Sequence, residues 1–469
     1  MKNITSLHLN AVIMALIILL VGIGHFCFGE LILKGAGVGW DGKIYRDISI
    51  DFHNMLIDKE INAYRLQRVL PSAIIHYTFR LFSIPLETNT IMMGFRIYNL
   101  ILLVIAAYLW GLICSQVGLS MRGQCLGFIG LFINFAVIKY FFIYPMLTDQ
   151  TAFFLGVILL FFFLKRSTAG IIITSIIGMF SWPLVTYYGL TLLGFRYGNG
   201  DINFGEKPNE IWRFLLAAAL VGLVFLMLKS TTLVGPWMLS PSLLYLSVLV
   251  ALGYIFLGAW DFFNHRFFYN VRAIQKQISW RMMLIAAIIF LTLTVSVAYW
   301  GKEGNYSNLW LTIPETINRG VGLPAIFLVG HFVFFGPVVL LILFFWKPML
   351  QKSYTYGLGF SLVVLINFVL SLASESRILL AAFPFFVLLV IQASEQVKWK
   401  PSFFLFMLVL SLIFSKIWYR MNLDWKEGFN QAFYMNFGFT MSWQMYAVQG
   451  GLALFAALVL YVMRETSEV

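Results

Sequence analysis

The feature that most constrains this chain is a series of apolar runs, each near the roughly 20 residues that a helix needs to cross a bilayer. Lipid offers no partner for backbone polar groups, so each run favours an α-helix. Only 11% of the 469 residues are charged, and short alternating strands are not found. The chain is therefore predicted to be an all-α polytopic membrane protein of about 14 transmembrane helices, within a range of about 11–14. The predicted spans are 8–28, 91–113, 125–142, 152–164, 170–180, 185–195, 211–228, 243–262, 282–300, 323–345, 356–372, 378–391, 403–417 and 445–463.

The distribution of basic residues predicts the orientation. A net charge of +12 would suggest nucleic acid in a soluble protein, but here the cations fall in short loops between spans, so no nucleic-acid partner is expected. With the N-terminus inside, the loops at 144–150 and 231–240 lie outside and carry no Lys or Arg, while the final outer loop holds Arg420 and Lys426 as an exception. Both termini are then cytoplasmic. The inner loops carry Arg122, Lys165, Arg166, Arg196, Lys207, Arg213, Arg266, Arg272, Lys276, Arg281, Lys347, Lys352, Lys398 and Lys400.

The short spans 170–180 and 185–195 are predicted to form a hairpin, because Pro183 in the sequence Ser181-Trp182-Pro183 should end a helix. If they were one span, every later loop would change sides, and the basic segment 266–281 would lie outside. The pair is therefore counted as two spans.

The domain organisation is predicted to be a single membrane domain over residues 1–469, with a first extracytoplasmic loop at 30–68 and the remaining transmembrane bundle at 69–469. In that loop Ile48, Phe52, Met55 and Leu56 recur at helical spacing, which indicates an amphipathic helix lying on the outer interface. A short apolar helix at 69–82 is expected to lie at the interface or enter it partway.

Two groups of candidate site residues follow the first span. Asp41 stands among small residues in Gly39-Trp40-Asp41-Gly42, close to Tyr45, where a turn would hold a carboxylate just above the membrane. Arg65 and Arg68 are three residues apart, so they would share one helix face and suit an anionic phosphate group. Binding of lipid head groups is the simpler alternative for the two arginines.

Two further groups lie at predicted outer helix ends. Asp149 begins a span, where an unpaired carboxylate would be costly, although it could also serve as a helix cap. Glu375 and Arg377 come just before a span and could belong to the site or form only a structural pair. His331 lies within an apolar span and is interpreted as a satisfied interhelical residue. The outer loop 301–320 holds further polar residues, including Glu315 and Arg319.

The order of these groups along the chain is similar to that in a known protein family. The first loop holds Trp-Asp-Gly and Tyr45, and it is followed by Tyr-Arg-Leu-Gln-Arg-Val-Leu-Pro at 64–71, Pro-Met-Leu-Thr-Asp at 145–149 and Glu-Ser-Arg at 375–377. In this order the motifs resemble those of the GT-C superfamily of integral membrane glycosyltransferases, especially its bacterial members. The resemblance is best over about residues 1–165 and only architectural afterwards. Members of the family often have Lys or Glu at the hairpin tip, where this chain has Ser181-Trp182-Pro183.

The resemblance implies transfer of a sugar from a polyprenyl-phosphate carrier to an acceptor on the non-cytoplasmic face, in a bacterial inner (plasma) membrane. It implies that Asp41 is the catalytic base and Asp149 a second acidic residue, and that these two could hold a divalent cation, Mg or Mn. Partners would be the lipid-linked donor and membrane lipids, and no sequence feature predicts an oligomeric state. Substrate or lipid phosphate would contact Tyr45, Arg65, Arg68, Glu375 and Arg377.

Other functions share parts of this pattern. A secondary transporter or lipid-linked-glycan flippase should place ionisable residues near mid-membrane or break helices in matching halves, whereas here the charges lie at span ends. A polysaccharide polymerase should carry a large outer loop late in the chain, and the segment 416–443 leaves that alternative open. A structural scaffold would not need the Asp41 and Asp149 pair.

Overall fold

The computed structural model describes residues 4–198, 209–229, 241–302, 309–421, 438 and 441–464. All regular structure in these ranges is helical, with three isolated β-bridges, so the all-α prediction is confirmed. The predicted outer loop 231–240, the inner-loop Lys207 and most of 416–443, including Lys426, lie outside the described residues. The helices are α1 Ile4–Phe28, α2 Trp40–Ile50, α3 Phe52–Ile57, α4 Ala63–Leu66, α5 Leu70–Leu81, α6 Thr88–Gln116, α7 Met121–Phe132, α8 Phe141–Ile143, α9 Asp149–Leu164, α10 Thr168–Met179, α11 Pro183–Gly194, α12 Glu210–Lys229, α13 Pro241–Phe262, α14 Val271–Gln277, α15 Trp280–Trp300, α16 Leu309–Arg319, α17 Ile326–Phe335, α18 Val338–Phe344, α19 Trp346–Thr355, α20 Leu358–Leu370, α21 Phe383–Ser394, α22 Ser402–Ser415 and α23 Trp443–Met463.

Six of these helices are long and apolar enough to cross a membrane, namely α1, α6, α12, α13, α15 and α23. A seventh is reached if the bent pair of α7 with the helical segment 136–143 counts as one span. The outer helices expose apolar side chains: Leu226, Leu249 and Leu454 are 64%, 68% and 69% exposed. Such faces favour lipid over water, which agrees with a membrane protein.

Two of the predicted spans are broken in the structure. The run 125–142 bends by 51° between α7 and the π-helical turn Ala136–Tyr140. Asn134 lies at the bend, where its side chain donates to the Gly130 and Leu131 carbonyl oxygens and accepts from the Val137 N–H. The run 323–345 separates into α17 and α18 at Gly336-Pro337, with Gly336 at φ +78°. Side-chain bonding to the backbone and a proline are known causes of such breaks.

Short helices form the centre of the bundle, and longer ones surround it. Nearly all side chains of α21 are buried, and α9 beside it is buried along most of its length. A Cβ added at Gly156 would overlap the Ala381 carbonyl, so this glycine lets α9 approach the chain just before α21 closely. Small residues at helix contacts permit the same close approach in other membrane bundles.

The amphipathic segment of the first loop is two helices rather than one, because the backbone leaves the helical region at Asp51, with φ −129° and ψ 45°. Ile48 and Phe52 are buried in a small core with Val69 of the turn before α5 and Leu293 of α15. Neighbouring helices therefore cover the apolar face at these two residues, and the position of the segment at the membrane interface stays a prediction.

The predicted hairpin is confirmed: α10 and α11 pack against each other and are joined by a turn before Pro183. At its tip the Phe180 carbonyl accepts the backbone N–H of Leu70, at 2.9 Å. At its other end Phe195 forms a β-bridge with Ile278. The tip therefore lies at the end of the bundle where α2 to α5 are found.

Candidate active site at one end of the bundle

Asp41 is held in the first turn of α2 by an unusual helix cap. The phenol oxygen of Tyr144 accepts the backbone N–H groups of Asp41 and Gly42, at 2.9 and 3.4 Å. Gly39, at φ +74°, makes this approach possible, because a Cβ there would overlap the Tyr144 ring. The first N–H groups of a helix have no partner inside it, and a hydroxyl from another segment here takes the place of a local cap.

Tyr144→Phe is expected to loosen the start of α2. The two N–H groups would lose their acceptor in a buried setting, which costs about 1–2 kcal/mol of folding stability. Amide hydrogen exchange at Asp41 and Gly42 should accelerate, while exchange in α9 stays the same. Tyr299→Phe, an exposed residue, is the matched control. Unchanged exchange at Asp41 in Tyr144→Phe would show that the phenol does not cap the helix.

Arg65 forms the principal ion pair of Asp41. Its Nη2 lies 2.9 Å from Asp41 Oδ1, and its Nη1 donates to the Tyr45 hydroxyl at 3.2 Å. The turn is set by Asn62, whose side chain accepts the Arg65 backbone N–H and caps α4. Tyr45 is buried under the pair. Three of the predicted site residues, Asp41, Tyr45 and Arg65, are thus in direct contact.

The charge of Asp41 follows from these neighbours. Burial raises the pKa of the Asp41 carboxyl, but the charge and hydrogen bond of Arg65 together with the charges of Arg377 and Arg68 outweigh it. The pKa of Asp41 therefore lies below its usual value, and the group is a carboxylate at neutral pH.

Asp149 and Arg377 form the second half of the site. Asp149 is 1% exposed at the start of α9, and its Oδ2 lies 4.0 Å from Arg377 Nη1. Its Oδ1 has no hydrogen-bond partner among the described residues. Arg377 also donates through Nε to Glu375. Because Arg377 acts on the charge of Asp41 as well, the two halves form one electrostatic site.

His331 contacts the turn that carries Arg377. Its Nδ1 lies 2.9 Å from Ser376 Oγ, and its Nε2 lies 2.7 Å from the Ser371 carbonyl oxygen. Both ring nitrogens have partners, so the interpretation of His331 as a satisfied interhelical residue is confirmed.

Arg68 lies outside the helix that carries Arg65. The prediction that the two arginines share one helix face is wrong, because α4 ends at Leu66 and Arg68 lies in the turn after it. The Arg68 guanidinium lies between the rings of Tyr64 and Trp182, 4.5 and 4.3 Å from their centroids. Both arginines still belong to the same end of the bundle.

A cavity opens beside Arg68. It extends to the hairpin tip and to α16, whose residues were predicted to be part of an outer loop. Sequence reasoning did not identify Trp182 or Thr316 as site residues. The cavity is lined by Tyr64, Gln67, Arg68, Trp182, Pro183, Leu184, Ile313, Thr316, Glu375, Arg377 and Ile378.

Asp41 and Asp149 were also predicted as possible ligands of a divalent cation. In the described part of the chain no three His, Cys, Asp or Glu side chains gather in a way that could hold a metal ion. Asp41 lies against Arg65, and Asp149 lies near Arg377, so each carboxylate already faces a positive charge. Bringing a cation between arginines is electrostatically unfavourable. The predicted role of the two aspartates as metal ligands gains no support from this arrangement.

The four sequence segments that carry the predicted site residues thus meet at one end of the bundle, around Asp41, Asp149, Arg65, Arg68 and Arg377. No protein-family model matches the chain, and no curated protein and no solved structure matches it either.

Proposed function

We propose that this protein is a GT-C-type membrane glycosyltransferase, which transfers a sugar from a polyprenyl-phosphate donor to an acceptor on the extracytoplasmic face. The observation that carries the proposal is the joint presence of an ionised carboxylate, Asp41, and a cavity lined by Arg68 and Arg377. A carboxylate can orient and deprotonate a hydroxyl, and arginines can stabilise the phosphate that leaves.

The proposal includes the membrane topology. It places about 14 spans, short helices included, in a bacterial inner membrane with both termini in the cytoplasm and the site outside. In support, segments assigned to the same side contact one another: Asn62 pairs with Lys302 on the outer side, and Trp399 pairs with Arg464 on the inner side.

The proposed reaction is a single displacement. The acceptor hydroxyl oxygen forms a bond to the anomeric carbon as its proton passes to an Asp41 oxygen. The bond from that carbon to the phosphate oxygen breaks, and its electron pair stays on the phosphate, whose growing charge faces Arg68 and Arg377. Asp41 is a weak base at rest, so it takes the proton only as the new bond makes the hydroxyl acidic. The product should therefore have inverted anomeric configuration, and a retained configuration would contradict this mechanism.

Direct transfer is the test of the function. Purified protein in lipid vesicles would be supplied with a panel of radiolabelled polyprenyl-phosphate sugars and with candidate acceptors. Labelled product from at least one donor is the expected result, and protein-free vesicles are the control. Absence of transfer from every donor, together with movement of lipid or solute across the vesicle membrane, would favour a transporter or flippase.

The pH dependence of transfer gives a separate prediction. In the wild type kcat/KM should hold steady as pH falls and decline only below the ordinary range of an aspartate, because Arg65 keeps the pKa of Asp41 low. Arg65→Gln removes that charge but leaves the burial, so the pKa of Asp41 rises and the acidic limb moves to higher pH.

Arg65→Gln should also lower the folding stability at neutral pH, because it removes the Asp41–Arg65 ion pair. The Asp41–Arg65 pair contributes stability at pH values above the pKa of the unfolded state, and the contribution is lost as pH falls through the folded pKa. Arg46→Gln, which removes the partner of Asp47 on the same helix, is the control and should leave the acidic limb in place. An identical acidic limb in Arg65→Gln and wild type would exclude Asp41 as the titrating base.

A further inference from the structure

The arginines of the site differ in what neutralises them. Arg65 is paired with Asp41, and Arg377 contacts Glu375 and lies near Asp149. No carboxylate in the described part of the chain forms an ion pair with Arg68. Arg68 acts on the Asp41 charge only from a distance, so among the described residues it is the site cation that no carboxylate contacts.

Aromatic rings take the place of a carboxylate at Arg68. Its guanidinium lies 4.3 Å from the Trp182 ring centroid and 4.5 Å from that of Tyr64. Stacking of this kind attracts a cation without using its N–H donors. The Arg68 Nε is buried and has no acceptor among the described residues. The rings thus fix the plane of the guanidinium and leave its donors available.

Trp182 has a second feature that points to a ligand. Its side chain is 4% exposed and lines the cavity, yet its indole Nε1–H finds no acceptor in the described structure. A buried indole N–H usually has a partner, because leaving such a donor unpaired costs about 1–3 kcal/mol. A ligand oxygen in the cavity would satisfy it.

We propose that this cavity binds a phosphate ester and that Trp182 contacts the ligand, donating its indole N–H to a phosphate oxygen while its ring holds Arg68 in place. This inference rests on the proposed function in one respect, since the ester would be the head of the lipid-linked donor. Phosphate oxygens are strong acceptors and match the planar donors of arginine. The hairpin tip, which departs from the family pattern, is then a substrate-binding element.

The first experiment measures binding without sugar transfer. Protein in nanodiscs of neutral phosphatidylcholine would be titrated with a radiolabelled polyprenyl phosphate, with the matching polyprenol that lacks phosphate, and with inorganic phosphate as competitor. Polyprenyl phosphate should bind about 10-fold or more tightly than polyprenol, as expected for charge-assisted hydrogen bonds. Competition by inorganic phosphate would show that free phosphate also suffices, whereas its absence would restrict the site to lipid esters. Equal binding of polyprenol and polyprenyl phosphate, or binding of neither, would overturn the proposal.

Variants then test Trp182 itself. Trp182→Phe keeps a ring over Arg68 but removes the N–H, so affinity for polyprenyl phosphate should fall about 3–10-fold. Trp182→Leu removes both, and Arg68→Gln removes the charge, so each should lower affinity about 10–100-fold. Affinity for polyprenol should not change. Trp418→Phe and Arg80→Gln alter exposed residues outside the cavity and serve as matched controls.

The outcomes separate this site from the proposed function. Wild-type affinity in Trp182→Phe, Trp182→Leu and Arg68→Gln would overturn the site, even if the protein transfers sugar. If the variants bind polyprenyl phosphate with the expected loss of affinity but the wild type transfers no sugar, the phosphate site is supported and the glycosyltransferase function is contradicted. Since Trp182→Phe is a small change, it keeps the test decisive if Trp182→Leu does not fold.

Discussion

Asp41→Asn should lower the rate of sugar transfer by about 10²–10⁴-fold, the usual contribution of a general base. The amide has nearly the same shape as the carboxylate, but it cannot accept the proton of the acceptor hydroxyl. It also carries no negative charge to balance positive charge that develops on the sugar ring. The measurement is the initial rate of product formation with saturating donor, so that kcat is compared rather than donor affinity.

Two comparisons make this result specific. Asp47→Asn changes the same residue type in α2, where the side chain pairs with Arg46 and is 42% exposed, and it should transfer sugar at the wild-type rate. Asp41→Asn should also elute as a folded protein and bind polyprenyl phosphate. A folded Asp41→Asn variant with wild-type kcat would exclude Asp41 as the base, whatever other residues contribute.

Hydropathy and proline placement were sufficient to predict the helical fold and the hairpin before Pro183. The break at Gly336-Pro337 was missed although the same proline rule applies there. The break at Asn134 could not be predicted, because neither glycine nor proline marks it. At Asn134 an amide side chain replaces backbone hydrogen bonds, which depends on its rotamer and not on hydropathy. The number of spans is equally hard to count where short helices such as α21 are buried by neighbours.

Most residues of the candidate site could be predicted from the sequence, because charged side chains are costly in an apolar chain. Asp149 and Arg377 stood out for that reason, although they are far apart in sequence and meet only in the folded bundle. Their pairing was not predictable, since it depends on how α9 and the turn before α21 pack. Trp182 was missed because an aromatic residue at a span end is usually an interface anchor, and only its stacking on Arg68 distinguishes it.

The electrostatic arrangement also explains why three acidic and three basic side chains can share one end of this bundle. Asp41 and Arg65 compensate each other, and Arg377 lies between Glu375 and Asp149. Removing a member of either ion-paired group leaves an opposite charge without its partner. Arg377 is the most consequential member, because it serves two carboxylates.

Arg377→Met should therefore destabilise the protein by about 3–5 kcal/mol, as expected when one partner of a buried charge pair is removed. Asp149, whose side chain is 2% exposed, and Glu375 would lose the guanidinium that they face. Sugar transfer should fall as well, because the leaving phosphate would lose one of its two cations. Chemical unfolding in detergent micelles measures the first effect, and the transfer assay measures the second.

A double variant separates stability from chemistry. Arg377→Met combined with Asp149→Asn removes the uncompensated charge of Asp149, so part of the lost stability should return while transfer remains low. Arg80→Met, at an exposed position on α5, controls for the loss of an arginine and should match the wild type in both assays. If Arg377→Met were as stable as the wild type, the carboxylates would not depend on this guanidinium. Recovery of transfer in the double variant would mean that Arg377 acts by balancing Asp149 rather than by stabilising the leaving phosphate.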